Sequence, residues 1–95
     1  MYAIVNGKII MPDKVLENKV LVFNKQIVEI SDEVPANHEV IDARGNYVAP
    51  GLIDVHVHGS CGADTMDQSV EAIQTISEGI VKNGVTSFLP TTMTM

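Results

Sequence analysis

The seven residues from Leu52 to His58 sort strictly by parity, with Ile53, Val55 and Val57 on one side and Leu52, Asp54, His56 and His58 on the other. Period-two sorting of this length specifies an extended strand with two chemically different faces. One face is wholly aliphatic and suits a neighbouring layer of helices; the other is mostly polar and suits a cavity wall. The downstream residues fix the context. Gly59-Ser60-Cys61-Gly62-Ala63-Asp64 reads as a glycine-containing loop, and Val70, Ile73, Ile76, Ile80 and Val81 then recur near helical spacing. Asp67 is the expected N-cap of that helix and Gly84 its expected stop. Gly79 inside the helix costs roughly 1 kcal/mol relative to Ala. Val85 to Leu89 is a second apolar run, closed by Pro90. Strand, helix, strand with a crossover of this length is the order of a parallel βαβ unit.

Upstream of Ala49-Pro50-Gly51 the texture differs. Short β-branched runs alternate with turn residues, so residues 1–48 are expected to form a small antiparallel sheet segment and residues 49–95 the βαβ portion. Asn6-Gly7, between Ile4-Val5 and Lys8-Ile9-Ile10, is a two-residue hairpin signal of type I′. Val20 to Phe23 and Ile27 to Ile30 flank Asn24-Lys25-Gln26 as a second hairpin. Val34 to Asn37 reads as a loop, Glu39 to Asp42 as a further strand and Arg44-Gly45-Asn46 as a turn. Met93-Thr94-Met95 carries no stop signal, and the chain is expected to continue beyond it.

Composition removes several classes of function. Six Lys and Arg stand against twelve Asp and Glu, a net charge of −6, and no basic stripe exists to follow a phosphate backbone, so a nucleic-acid partner is excluded. The amino terminus lacks a basic segment followed by a long apolar run, and no stretch reaches the roughly 20 apolar residues of a membrane span, so neither secretion nor a membrane is expected. A single cysteine, Cys61, cannot form an internal disulfide and suits a reducing, cytoplasmic setting. Ninety-five residues are well under half of the roughly 250 that a complete (β/α)₈ barrel takes.

The chemistry concentrates on the polar face of the 52–58 strand. Residues i and i+2 of a strand lie about 6.6–7 Å apart on one face. Two imidazoles at that spacing, His56 and His58, can lean onto one ion at the 2.0–2.1 Å length of a Zn–N bond. They are the candidate metal ligands. Asp54, on their face, is a candidate to orient a His through a hydrogen bond. Asp64, in the loop, is a candidate to contact substrate or to order the loop. Cys61 has no neighbouring base and reads as an ordinary loop thiol. His38 reads as solvated, and Thr91 and Thr92 as turn residues. Imidazole suits several divalent ions, with Zn or Fe expected.

Ala49-Pro50-Gly51-Leu52-Ile53-Asp54-Val55-His56-Val57-His58-Gly59 resembles the segment with which amidohydrolase-superfamily enzymes enter their barrel. Gly62 to Asp67 and Gly84 to Thr91 narrow the likeness, and both are similar to N-acetylglucosamine-6-phosphate deacetylases. The resemblance is loose over the first 48 residues and tight from Val48 to Thr92. It implies an α/β fold in which amino-terminal β-sandwich strands precede the first β-α-β unit of a (β/α)₈ barrel, with the two His on a catalytic divalent metal. It further implies hydrolysis of the acetamide of N-acetylglucosamine 6-phosphate, a phosphorylated amino sugar as small-molecule partner, and a homo-oligomer. The Glu, further His and Asp of that machinery belong to later barrel strands, so no catalytic residue is expected within this chain and the chain alone is expected to be inactive. Two other readings stand beside it: another amidohydrolase, dihydroorotase-like or hydantoinase-like, and a non-catalytic β-rich module that associates with itself through its apolar faces.

Overall fold

The computed structural model describes residues 1–93; Thr94 and Met95, and with them most of the unpunctuated ending noted above, lie outside the described residues. The chain divides into two compact units, Met1–Pro50 and Gly51–Met95. Among the described residues it combines mixed sheets with one α-helix, an α/β arrangement.

The first unit holds seven strands: β1 (Tyr2–Val5), β2 (Lys8–Ile10), β3 (Val15–Leu16), β4 (Val20–Phe23), β5 (Ile27–Ser31), β6 (Glu39–Asp42) and β7 (Tyr47–Val48). They form a four-stranded sheet in the order β5-β4-β1-β6 and a three-stranded sheet in the order β3-β2-β7. The second expected hairpin is present: β4 and β5 pair antiparallel across residues 24–26. The first is not. Strands β1 and β2 belong to different sheets, so Asn6-Gly7 is a corner and not a hairpin turn. Asn6 takes a left-handed φ of 56°, but Gly7 serves a different need. A Cβ there would lie 2.6 Å from Val48 Cγ2 and 3.2 Å from Ala43 Cβ, so its place is set by close packing.

The expected antiparallel character is also corrected, because β1 pairs parallel with β6 and β2 parallel with β7. The chain thus passes from the large sheet to the small one twice, side by side, at Asn6-Gly7 and again at Ala43–Asn46. Main-chain hydrogen bonds join the two corners: Ala43 N–H to Val5 O (2.9 Å), Gly45 N–H to Asn6 O (2.7 Å) and Lys8 N–H to Asn46 O (3.0 Å). The core of this unit is Ala3, Val20 and Val22, with Val5 packed against it. Cross-strand partners Tyr2 and Phe23 stack with ring centroids 5.4 Å apart, and Lys8 sits over the ring of its partner Tyr47 at 5.2 Å.

Asp42 ties the double corner together. Its Oδ1 accepts Arg44 N–H (2.8 Å) and Asn6 Nδ2–H (3.2 Å). The Arg44 main-chain bond first, and then the Asn6 bond, hold this carboxyl below its ordinary value against an opposing effect of desolvation, with the nearby Arg44 charge adding to the lowering. A carboxyl whose folded pKa is lowered stabilises the fold above its ordinary pKa, and that share is lost as pH falls through the lowered value. Thermal melts between about pH 5 and pH 2 are therefore expected to show a shallower acid loss in Asp42→Asn than in the parent chain. An identical acid slope in the two would remove this role.

The second unit runs β8 (Leu52–Val57), β9 (Gly59–Ser60), β10 (Ala63–Asp64), a 3₁₀ turn (Thr65–Asp67), α1 (Val70–Val81) and β11 (Val85–Pro90). Strands β8 and β11 pair in parallel, giving the expected βαβ order. The 59–64 loop is itself ordered: β9 and β10 pair antiparallel, Ser60 opposite Ala63, across Cys61-Gly62, whose φ values of 54° and 79° make the two-residue turn. Asp67 is not the N-cap of α1. Ser69 is, with its Oγ accepting Ala72 N–H at 3.1 Å. Asp67 is taken up one turn earlier, in a reciprocal box with Asp64: Asp64 Oδ1 accepts Met66 N–H (2.8 Å) while Asp67 Oδ2 accepts Asp64 N–H (2.9 Å). Gly84 follows the helix with φ +89°. Ala72 and Ile76 form the buried face of α1, whereas Val70 and Val81 from the expected stripe are exposed. Gly79 has a packing reason: a Cβ there would fall 2.4 Å from Cys61 Sγ, so the glycine lets the helix approach the β9-β10 ribbon. No described helix is long and apolar enough to cross a membrane.

Candidate metal centre

Parallel pairing brings the carboxyl ends of β8 and β11 together, and both expected ligands stand there. His56 is the penultimate residue of β8, and His58 follows directly after the strand ends. Their rings lie on one side of the backbone, as the i, i+2 spacing requires. The two Nε2 atoms are 3.2 Å apart, with ring centroids at 4.9 Å and planes at 88°.

His58 is fixed at two points. Its main-chain oxygen accepts Thr65 N–H at 2.7 Å, and its ring Nδ1 lies 2.9 Å from the carbonyl oxygen of Thr91. A carbonyl oxygen can only accept, so Nδ1 carries the proton and Nε2 of the neutral ring carries the lone pair. In the metal-free chain His56 Nε2–H then donates to His58 Nε2. Metal-bound imidazoles characteristically donate their other N–H to a carbonyl or carboxylate, which is the bond that His58 Nδ1 makes here.

The donor geometry fits an ion. Two nitrogens at 2.0–2.1 Å from a tetrahedral centre are separated by about 3.3–3.4 Å, close to the 3.2 Å here. The set stops at two. Among the described residues no group of three or more His, Cys, Asp or Glu converges on one point. Asp54 bonds the main chain of His56 and not a ring: its Oδ1 accepts His56 N–H at 3.1 Å. Asp64 orders the loop through its box with Asp67. Cys61 is exposed, with Ser60 Oγ 3.6 Å from its sulfur. His38 is half-buried, its Nδ1 2.9 Å from Ala36 O. The residue that sequence reasoning undervalued is Thr91, which acts here through its main chain: its N–H donates to Val57 O at 2.8 Å while its own carbonyl takes the His58 ring.

The profile of the amidohydrolase family matches residues 39–93, more than half of the chain, and spans this pair. The chain belongs to the amidohydrolase family. Among relatives of this amidohydrolase chain, the N-acetylglucosamine-6-phosphate deacetylase of Bacillus subtilis is 36% identical over 90 residues, covering 90% of this chain and 23% of the relative. A dihydroorotase of Staphylococcus epidermidis is also 36% identical, over 93 residues, covering 95% of this chain and 21% of the relative. The crystal structure of N-acetylglucosamine-6-phosphate deacetylase from Pasteurella multocida superposes with a TM-score of 0.85 at 36% identity, covering 94% of this chain and 24% of that one. The chain therefore spans between about a fifth and a quarter of the length of these proteins.

Proposed function

We propose that this chain supplies the first metal-binding strand of a (β/α)₈ amidohydrolase that removes the acetyl group of N-acetylglucosamine 6-phosphate, giving glucosamine 6-phosphate and acetate. The observation that carries the metal reading is the pair of Nε2 atoms 3.2 Å apart at the carboxyl end of β8, one of them held as a lone-pair donor by Thr91. Ligands at that end of a parallel strand are where barrel enzymes assemble their chemistry. The deacetylase reading is supported by the close superposition on the Pasteurella multocida enzyme, together with the likeness of Gly62–Asp67 and Gly84–Thr91 to that family.

His56 and His58 would hold a divalent ion, Zn or Fe, which when bound would supply polarisation of an amide carbonyl and a lowered pKa for a water. The chain's own part is to present donors: His58 with its tautomer fixed, His56 opposite it, and Asp54 bracing the main chain at His56 by accepting its N–H. A catalytic zinc takes three protein ligands, so two imidazoles leave the shell open and the 95-residue chain is expected to release no acetate by itself.

The equal identity to a dihydroorotase supports a second reading, in which the same strand serves hydrolysis of a cyclic amide. Acetate release by the whole protein from N-acetylglucosamine 6-phosphate, from the unphosphorylated sugar, and ring opening of dihydroorotate separate the two. The expected result is acetate from the phosphorylated sugar, with far less from the unphosphorylated one. Ring opening without acetate release would overturn the deacetylase reading and leave the metal pair intact.

A further inference from the structure

We infer that Thr91 is a positioning residue for the metal ligand His58, acting through its main chain and not through its hydroxyl. The inference rests on the reading that His56 and His58 share an ion, and it adds how one of them is prepared. Thr91 sits at the step just beyond β11, where its backbone closes a two-point clasp on β8. Its N–H donates to Val57 O at 2.8 Å, and its carbonyl lies 2.9 Å from His58 Nδ1. The first bond fixes where the carbonyl stands, and the second fixes the ring. The hydroxyl takes no part: Thr91 Oγ1 donates to Leu89 O at 3.1 Å, within its own strand end.

The consequence is chemical. A neutral imidazole free of constraint can place its proton on either nitrogen. A carbonyl at hydrogen-bonding distance from Nδ1 selects the Nδ1–H form, which leaves the Nε2 lone pair aimed at His56. Without the clasp, tautomer and ring angle must be selected at the moment an ion arrives, and that selection weakens binding. Outer partners of metal-bound His typically alter metal affinity by about 10–100-fold.

The test reads the ring directly. In the metal-free chain, long-range ¹⁵N–¹H correlation, followed to the alkaline limit at which the imidazole signals no longer change, is expected to show His58 as the Nδ1–H tautomer and His56 with its proton on Nε2. Thr91→Pro removes the N–H that pins the clasp, and is expected to return His58 to a mixture of tautomers and to weaken Zn²⁺ binding about 10–100-fold. Thr91→Ala keeps the main chain and is expected to match the parent in both. An Nε2–H tautomer of His58 in the parent chain overturns the inference even if Thr91→Pro fails to fold. So does a Thr91→Ala loss as large as that of Thr91→Pro, because the hydroxyl would then carry the effect. The tautomer is read without metal and without substrate, so it stands or falls separately from the deacetylase assay.

Discussion

His56→Ala and His58→Ala are each expected to lower the Zn²⁺ affinity of the chain by at least about 100-fold, since loss of a ligand itself should exceed the upper end of what loss of a supporting partner costs. The shape of the result matters as much as its size. Both Nε2 atoms are placed for one ion, 3.2 Å apart on one side of the backbone. Removing either leaves a single imidazole, and the second removal then has little left to destroy. The double variant is therefore expected to be barely weaker than either single one, a strong departure from additivity of the kind that neighbouring residues with a shared partner show. Competition with a chromophoric chelator measures all four proteins. Two small effects that simply add would mean that the imidazoles bind separately, and no shared site exists. Asp54→Asn, by contrast, retains an acceptor for His56 N–H and is expected to change affinity much less than either His variant.

The portion of the molecule that carries this site was legible because its signals are local. Parity over Leu52–His58 puts both imidazoles on one face, and the apolar spacing through Ile73 and Ile76 marks the helix that returns the chain to a parallel strand. Where two local signals compete, sequence alone chose wrongly: Asp67 and Ser69 are both good capping residues two positions apart, and the reciprocal bonds of Asp64 and Asp67 remove Asp67 from the competition. Where the partner is distant, the signal is absent altogether. Nothing near Asn6-Gly7 reveals that β1 pairs with Glu39–Asp42 while β2 pairs with Tyr47–Val48, so a corner between sheets looked like a hairpin. Thr91 is the limiting case. Every residue offers a main-chain carbonyl, and only the register of β11 on β8 singles this one out.

That dependence of the site on tight backbone packing makes Gly59 the most sensitive small residue beside it. Gly59→Ala is expected to destabilise the second unit by about 1–3 kcal/mol, the range for forcing extra volume into a packed position, and to lower metal affinity with it. Gly59 does not adopt a positive φ, so conformational freedom is not the reason. Space is. A Cβ at this position would lie 2.3 Å from Ala63 O and 3.0 Å from Asp64 Cα, both backbone atoms of the paired strand, with Asp64 directly opposite in register. No side chain can rotate away to make room. The β9-β10 ribbon would have to open, and Thr65, the next residue after it, holds the main-chain oxygen of His58. Gly62 in the same ribbon provides the control: its φ is +79° and a Cβ there would meet no atom within 4 Å. Asn tolerates that left-handed region better than other side chains, so Gly62→Asn is expected to be milder in urea denaturation and to keep the parent's Zn²⁺ affinity. Should Gly59→Ala match the parent in both measurements, the ribbon yields more easily than its backbone contacts imply, and the ligand His58 is not held through it.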